Sequence, residues 1–199
     1  MPRDIVPSVS SREAARRSAQ DSLGVRPANV PSATRLKQTN GPLGRDVHSV
    51  FVSAPEELPD VISIPSGSHF VLFLAWDAVG VPDERVLQAA ISLVRGGLSY
   101  VVTWGPDCER VHDLFDRADI EVNPESNVEG TDTVIMSTWH HDESIEDALW
   151  FALNVTYPAV PYENTTVVTI AATVGNAKWS ETIDAYLSDL SSLNRAVGV

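Results

Sequence analysis

One cysteine, Cys108, stands among 199 residues. A single thiol excludes an internal disulfide framework and suits a reducing cytosol. No apolar run approaches the ~20 residues that a membrane span requires. The opening residues, Met1-Pro-Arg-Asp-Ile-Val-Pro7, lack the apolar h-region of a secretory signal. Neither membrane insertion nor export by that route is expected, and a cytoplasmic location is. Phosphate-cradling loops are missing too: neither Gly-x-Gly-x-x-Gly nor Gly-x-x-x-x-Gly-Lys-Ser/Thr occurs, so a dinucleotide held in the usual way is not expected and no cofactor is named. Without His-Glu-x-x-His, a Cys/His ligand pair or an EF-hand loop, no metal is assigned. Without Gly-x-Ser-x-Gly, the histidines have no serine nucleophile in an elbow to activate.

Positive charge is scarce and unevenly placed. Residues 1–46 hold eight Lys/Arg against four Asp/Glu, a balance of +4 that leaves −17 for residues 47–199 out of the total of −13. An acidic body repels nucleic acid, because phosphate binding relies on Lys and Arg. Residues 1–46 show little periodicity beyond a short helical pattern at Ser11–Leu23. They read as a basic, flexible extension able to dock on a partner, and residues 47–199 as a single domain. The 43% hydrophobic content suffices for a sizeable core.

What is present is a strand–helix alternation. The central stretch runs Leu98–Thr103 as a buried strand, turns at Trp104-Gly105, and opens a helix at Pro106 with Val111, Leu114 and Phe115 as its apolar stripe. Glu109, His112, Asp113 and Asp116 share that helix's polar face by their i, i+3, i+4, i+7 spacing. Before it, His48–Ser53 suggests a short strand and Val61–Ile64 a brief one. Phe70–Trp76 is a continuous apolar run of the kind covered on both faces. A helix follows from near Pro82, carrying Val86, Leu87, Ala90, Ile91 and Val94, and stops at Gly96-Gly97. Further on, a strand is expected at Thr133–Thr138, then a turn at Trp139–Asp142 and a helix capped by Ser144. The last pair is a β-branched strand at Thr166–Ala172 and a helix bearing Trp179, Ile183, Tyr186, Leu187 and Leu190. Successive pairs of this kind predict an α/β fold: three layers, a mostly parallel sheet with helices on both faces.

In such a fold the carboxyl ends of the strands form a rim whose crevice holds the ligand. The candidate ligand-binding residues are therefore Asp77, Trp104, Gly105, His112, Trp139, Thr173 and Gly175, with Asn176 beside them. His140, His141, Asp107 and Glu109 are the acid–base candidates, a histidine having an unperturbed pKa of ~6.5 suited to a general base. Adjacent histidines in a regular strand point to opposite faces, so at most one of His140 and His141 is expected in a given site. Cys108 falls at core spacing with Val111 and Phe115, while Asp107 and Glu109 disfavour its thiolate.

The stretch Thr103–Asp116, with Trp139–Ser144 and Glu146–Phe151, resembles a group of small uncharacterised bacterial proteins sharing a Trp-Gly-x-Asp-Cys-Glu block, over about residues 70–155. That group has no established activity, so the resemblance implies a fold and no catalytic role. A looser likeness, at the level of the fold, is to TIR-type and flavodoxin-like (Rossmann-like) domains. TIR enzymes that cleave NAD use a helix glutamate beside the pocket, and that resemblance implies Glu109 here. The primary expectation is a module that binds a small ligand or a protein partner at the rim. The alternatives are a hydrolase or lyase of a nucleotide or small metabolite using His140, His141, Asp107 and Glu109, and an assembly component docking through the extension.

Overall fold

The computed structural model describes residues 37–124, 134–157 and 166–197. The helical pattern at Ser11–Leu23 lies outside the described residues. Thr34–Val199 is one compact unit. Its strands are β1 (Lys37–Asn40), β2 (Asp46–Val52), β3 (His69–Trp76), β4 (Leu98–Trp104), β5 (Met136–His140) and β6 (Val167–Val174). Its helices are the single turn α1 (Leu58–Val61), then α2 (Asp83–Arg95), α3 (Cys108–Val122), α4 (Ile145–Asn154) and α5 (Ala177–Val197).

The six strands form one sheet in the order β1-β2-β6-β3-β4-β5. Five are mutually parallel. β1 alone is antiparallel, with Lys37 opposite Ser49 and Asn40 opposite Asp46, so the sheet reaches back into the basic segment before residue 46. The apolar runs account for the middle of this order. In β3, Phe70 through Ala75 are at most 1% exposed, which requires helices over both faces. One face packs Leu72, Leu74, Val101 and Ile170 against Val86, Ile91, Val111 and Phe115 of α2 and α3. The other packs Val71, Phe73, Val102 and Ala171 against Ala148, Leu149, Ile183 and Leu187 of α4 and α5. Each buried Val, Leu, Ile or Phe among them contributes about 1.5–3 kcal/mol.

Several boundaries differ from the sequence expectation, each for a local reason. Val61–Ile64 is not a strand: Pro59 and Asp60 suit a helix start, and Leu58–Val61 makes one turn. β5 begins at Met136 because Asp119 accepts the Ile135 N–H at 3.2 Å, diverting it from any ladder. It then runs on to His140, pairing Thr103 with Trp139 and Trp104 with His140. α3 opens at Cys108 rather than at Pro106, because Gly105 (φ 113°) and Asp107 (φ 67°) carry the chain through left-handed backbone first. β6 extends to Val174, so Thr173 belongs to the strand and not to the turn. Ser144 caps α4 as expected, its hydroxyl accepting from the Asp147 N–H.

Candidate functional site

Strand order decides where the rim opens. The helix that follows β3 covers one face and the helix that follows β6 covers the other. Neighbouring parallel strands whose connections leave on opposite faces part at their carboxyl ends, and that is where a crevice forms. A cleft of about 540 Å³ lies there. Its floor is Trp76 and Val174, the last residues of β3 and β6. Ser53, Ala54 and Pro55 after β2 form one wall; Asp77, Val79, Val81 and Arg85 form the opposite one; Gly175 and Asn176 close the end.

The polar groups at the mouth are held by the chain itself. Asp77 Oδ1 accepts the Val79 N–H at 3.2 Å, shaping the turn after β3. Arg85 meets the Glu56 carboxylate with two nitrogens, Nε at 2.5 Å and Nη2 at 2.9 Å, tying α2 to the Pro55–Glu57 turn. This pairing raises the Arg85 pKa and lowers that of Glu56. Asn176 Oδ1 accepts the Trp179 N–H and caps α5. Gly175 adopts φ 73° and donates to the Val52 carbonyl at 2.9 Å, which holds β2 beside β6 at the cleft.

Of the candidates read from the sequence, Asp77, Gly175 and Asn176 line this cleft. The others are distributed elsewhere. Strand alternation sends Trp104 and Trp139 to opposite faces of the sheet, so they do not make a common wall. Trp104 packs edge-on against Trp179, with centroids 5.0 Å apart, and donates from Nε1 to the Glu143 carbonyl at 2.9 Å. Gly105 answers a packing need: a Cβ there would lie 2.6 Å from the Trp76 carbonyl oxygen. Thr173 is buried beside Ala75 on the α4/α5 face, its hydroxyl without a hydrogen-bond partner.

The acid–base candidates also take separate partners. Asp107 binds Arg110 at 2.7 Å, and Arg110 reaches on to Asp83 at 2.6 Å and the Ala78 carbonyl at 2.7 Å. Burial opposes the Arg110 charge, but these carboxylates outweigh it and raise its pKa. His140 is buried on the α4 face, with Nδ1 2.9 Å from Glu143 and its ring against Phe151. His141 is exposed and pairs with Asp142 at 2.9 Å. Glu109 lies on the exposed side of α3. Cys108 is buried, and burial is the largest cause raising its thiol pKa, against the lowering effect of backbone N–H groups including that of His140.

Sequence reasoning missed Ser137. It meets His112 Nε2 at 2.9 Å while His112 Nδ1 lies 3.1 Å from Asp113. The residue types are those of a catalytic triad, but the hydroxyl has one proton and a nearer acceptor, Asp116 Oδ1 at 2.5 Å. With the hydroxyl donating to Asp116, Ser137 has only a lone pair to turn to His112, the reverse of what a general base requires. Among the described residues, no three His, Cys, Asp or Glu side chains gather as metal ligands, and no helix is long and apolar enough to cross a membrane. Arg85 and the Ser53–Pro55 wall were also missed, Arg85 because it reads as one more charge on a helix surface and carries no motif. Trp76, which the sequence left evenly balanced between core and ligand wall, lines the cleft.

No curated protein matches the chain. A solved structure similar to it is the murein peptide ligase Mpl from Psychrobacter arcticus 273-4, at 12% identity and a TM-score of 0.44. The likeness covers 82% of this chain but 31% of the ligase, so the chain spans less than a third of that protein's length. A family model for a domain of unknown function matches residues 47–189, a range that starts in β2, ends within α5 and takes in the whole rim. The chain belongs to this family, DUF7684.

Proposed function

We propose that this protein is a binding module whose small-molecule ligand occupies the cleft between the carboxyl ends of β2, β6 and β3. One observation carries the reading: a cleft of about 540 Å³ at the point where the strand connections part. Ligand sites commonly enclose roughly 300–1,000 Å³ and pair apolar walls with a few convergent polar groups. Trp76, Pro55, Val81 and Val174 supply the apolar surface; Asp77, Asn176 and Ser53 supply the polar one. Binding is favoured over catalysis because His112, His140 and Asp107 turn to three different partners, and among the described residues no serine or cysteine is hydrogen-bonded to a histidine in the direction a nucleophile needs.

The test is a thermal-shift screen of the full chain against nucleosides, amino acids, sugars and common metabolites, repeated on Ala54→Trp, which fills the cleft from its wall. A ligand at 100 times its Kd stabilises by ~2.7 kcal/mol. The expected outcome is a hit whose shift disappears in Ala54→Trp. A hit that stabilises Ala54→Trp as much as the native protein refutes this location.

A further inference from the structure

Among the described residues the sheet ends at β5, and this margin carries a second set of recognisable groups. The Thr138 carbonyl faces β4, accepting from the Thr103 hydroxyl at 3.2 Å, and the His140 N–H turns inward to Cys108 at the start of α3. Polar groups of successive strand residues alternate in direction, so those of Ser137 and Trp139 face away from β4. They offer the donors and acceptors to which an added strand zips.

Side chains beside this margin define what such a strand should carry. Trp139 is 44% exposed, with its ring edge-on to His112 at 4.6 Å between centroids. Asp113, 71% exposed at its side chain, bonds His112 on the far nitrogen, and Asp116 bonds Ser137. With Glu109 these carboxylates form the exposed stripe of α3 that runs alongside β5. An exposed indole beside a helix face that presents carboxylates is a receptor for cationic side chains, through ring attraction and ion pairing together. The surface beyond is acidic as well, residues 47–199 carrying −17.

The geometry points to a peptide-docking edge: β5 adds an extended, basic segment of a partner protein as a further strand, with an Arg or Lys seated on Trp139 between Asp113 and Asp116. A second copy of this chain is the weaker occupant. Pairing two β5 edges would bring two sets of these carboxylates toward one another, and like charges repel across such a junction.

A fluorescein-labelled peptide alternating valine with arginine and lysine tests this against the full-length protein by fluorescence anisotropy. Saturable binding is expected, weakened about tenfold when every second peptide amide is N-methylated, since that removes the ladder donors and leaves the charge intact. Trp139→Ala should weaken binding about threefold to fivefold. Asp113→Asn with Asp116→Asn should weaken it comparably and flatten its dependence on salt. Equal binding of the N-methylated peptide would mean adherence to an acidic surface and would overturn the proposal without any variant. So would unchanged affinity in Trp139→Ala, or concentration-dependent dimerisation through this edge that excludes the peptide.

Discussion

Replacing Gly105 by alanine tests the rim at its tightest point. Two costs separate cleanly. The backbone sits at φ 113°, where an L-residue is strained, at about 1–3 kcal/mol. The new Cβ would also stand 2.6 Å from the Trp76 carbonyl oxygen, and forcing that contact apart adds about 1–3 kcal/mol of overpacking. Gly67 is the natural control: its φ is 82°, yet a Cβ there meets nothing within 4 Å. Gly67→Ala should therefore show the conformational cost alone. In a chain of this length each kcal/mol moves Tm by roughly 2–4 °C, so Gly105→Ala should melt several degrees below Gly67→Ala. Urea unfolding followed by circular dichroism gives the same comparison in free energy. Equal destabilisation of the two variants would refute the claim that close approach to β3 demands glycine at 105. Because Trp76 floors the cleft, a ligand found by screening should also bind Gly105→Ala more weakly than it binds Gly67→Ala.

Other consequences are open to measurement. Asp119→Ala strands the Ile135 N–H and the Asn123 amide that the carboxylate now accepts; a loss of about 1–3 kcal/mol and faster hydrogen exchange at the start of β5 are expected. Ser144→Ala removes the cap on α4 and should cost about 1 kcal/mol in denaturant unfolding. Burial raises the Cys108 pKa above its ordinary 9.0, so the folded state holds the thiol proton more tightly than the unfolded chain. That contribution is fully present below the ordinary thiol value and is lost as pH rises through the folded one. Stability measured from pH 8 upward should fall less steeply in Cys108→Ala than in the native chain, and a thiol reagent should label Cys108 slowly until the protein unfolds.

Local chemistry made much of the architecture legible in advance. The run Phe70–Trp76 has no polar face to show to water, so it had to be a strand covered twice, and it is the centre of the sheet. The stripes of Val86, Ile91, Val111 and Phe115 repeat at helical spacing and pack where that spacing requires. These are properties of a few neighbouring residues, which is why sequence alone reveals them. The site was legible only in part. Asp77 and Gly175 end strands that can be recognised from pattern, and both line the cleft.

What pattern could not give was which strand lies beside which, and how far each pairing runs. β6, last in the chain, inserts between β2 and β3, and that insertion alone decides that the crevice opens over Trp76 and Val174 instead of between the two rim tryptophans. The pairing of Thr103 with Trp139 carries β5 two residues past its expected end and turns Trp139 and His140 to opposite faces, separating groups that a shared place on the rim had suggested would act together. Ser137 meets His112 across 25 positions, and β5 becomes an edge only because no described strand follows it outward. Composition and periodicity thus determined the elements and their buried faces, through hydrophobic burial acting over single turns and pleats. Strand order, register and the resulting edges depend on hydrogen bonds between distant segments, and only the assembled sheet decided them.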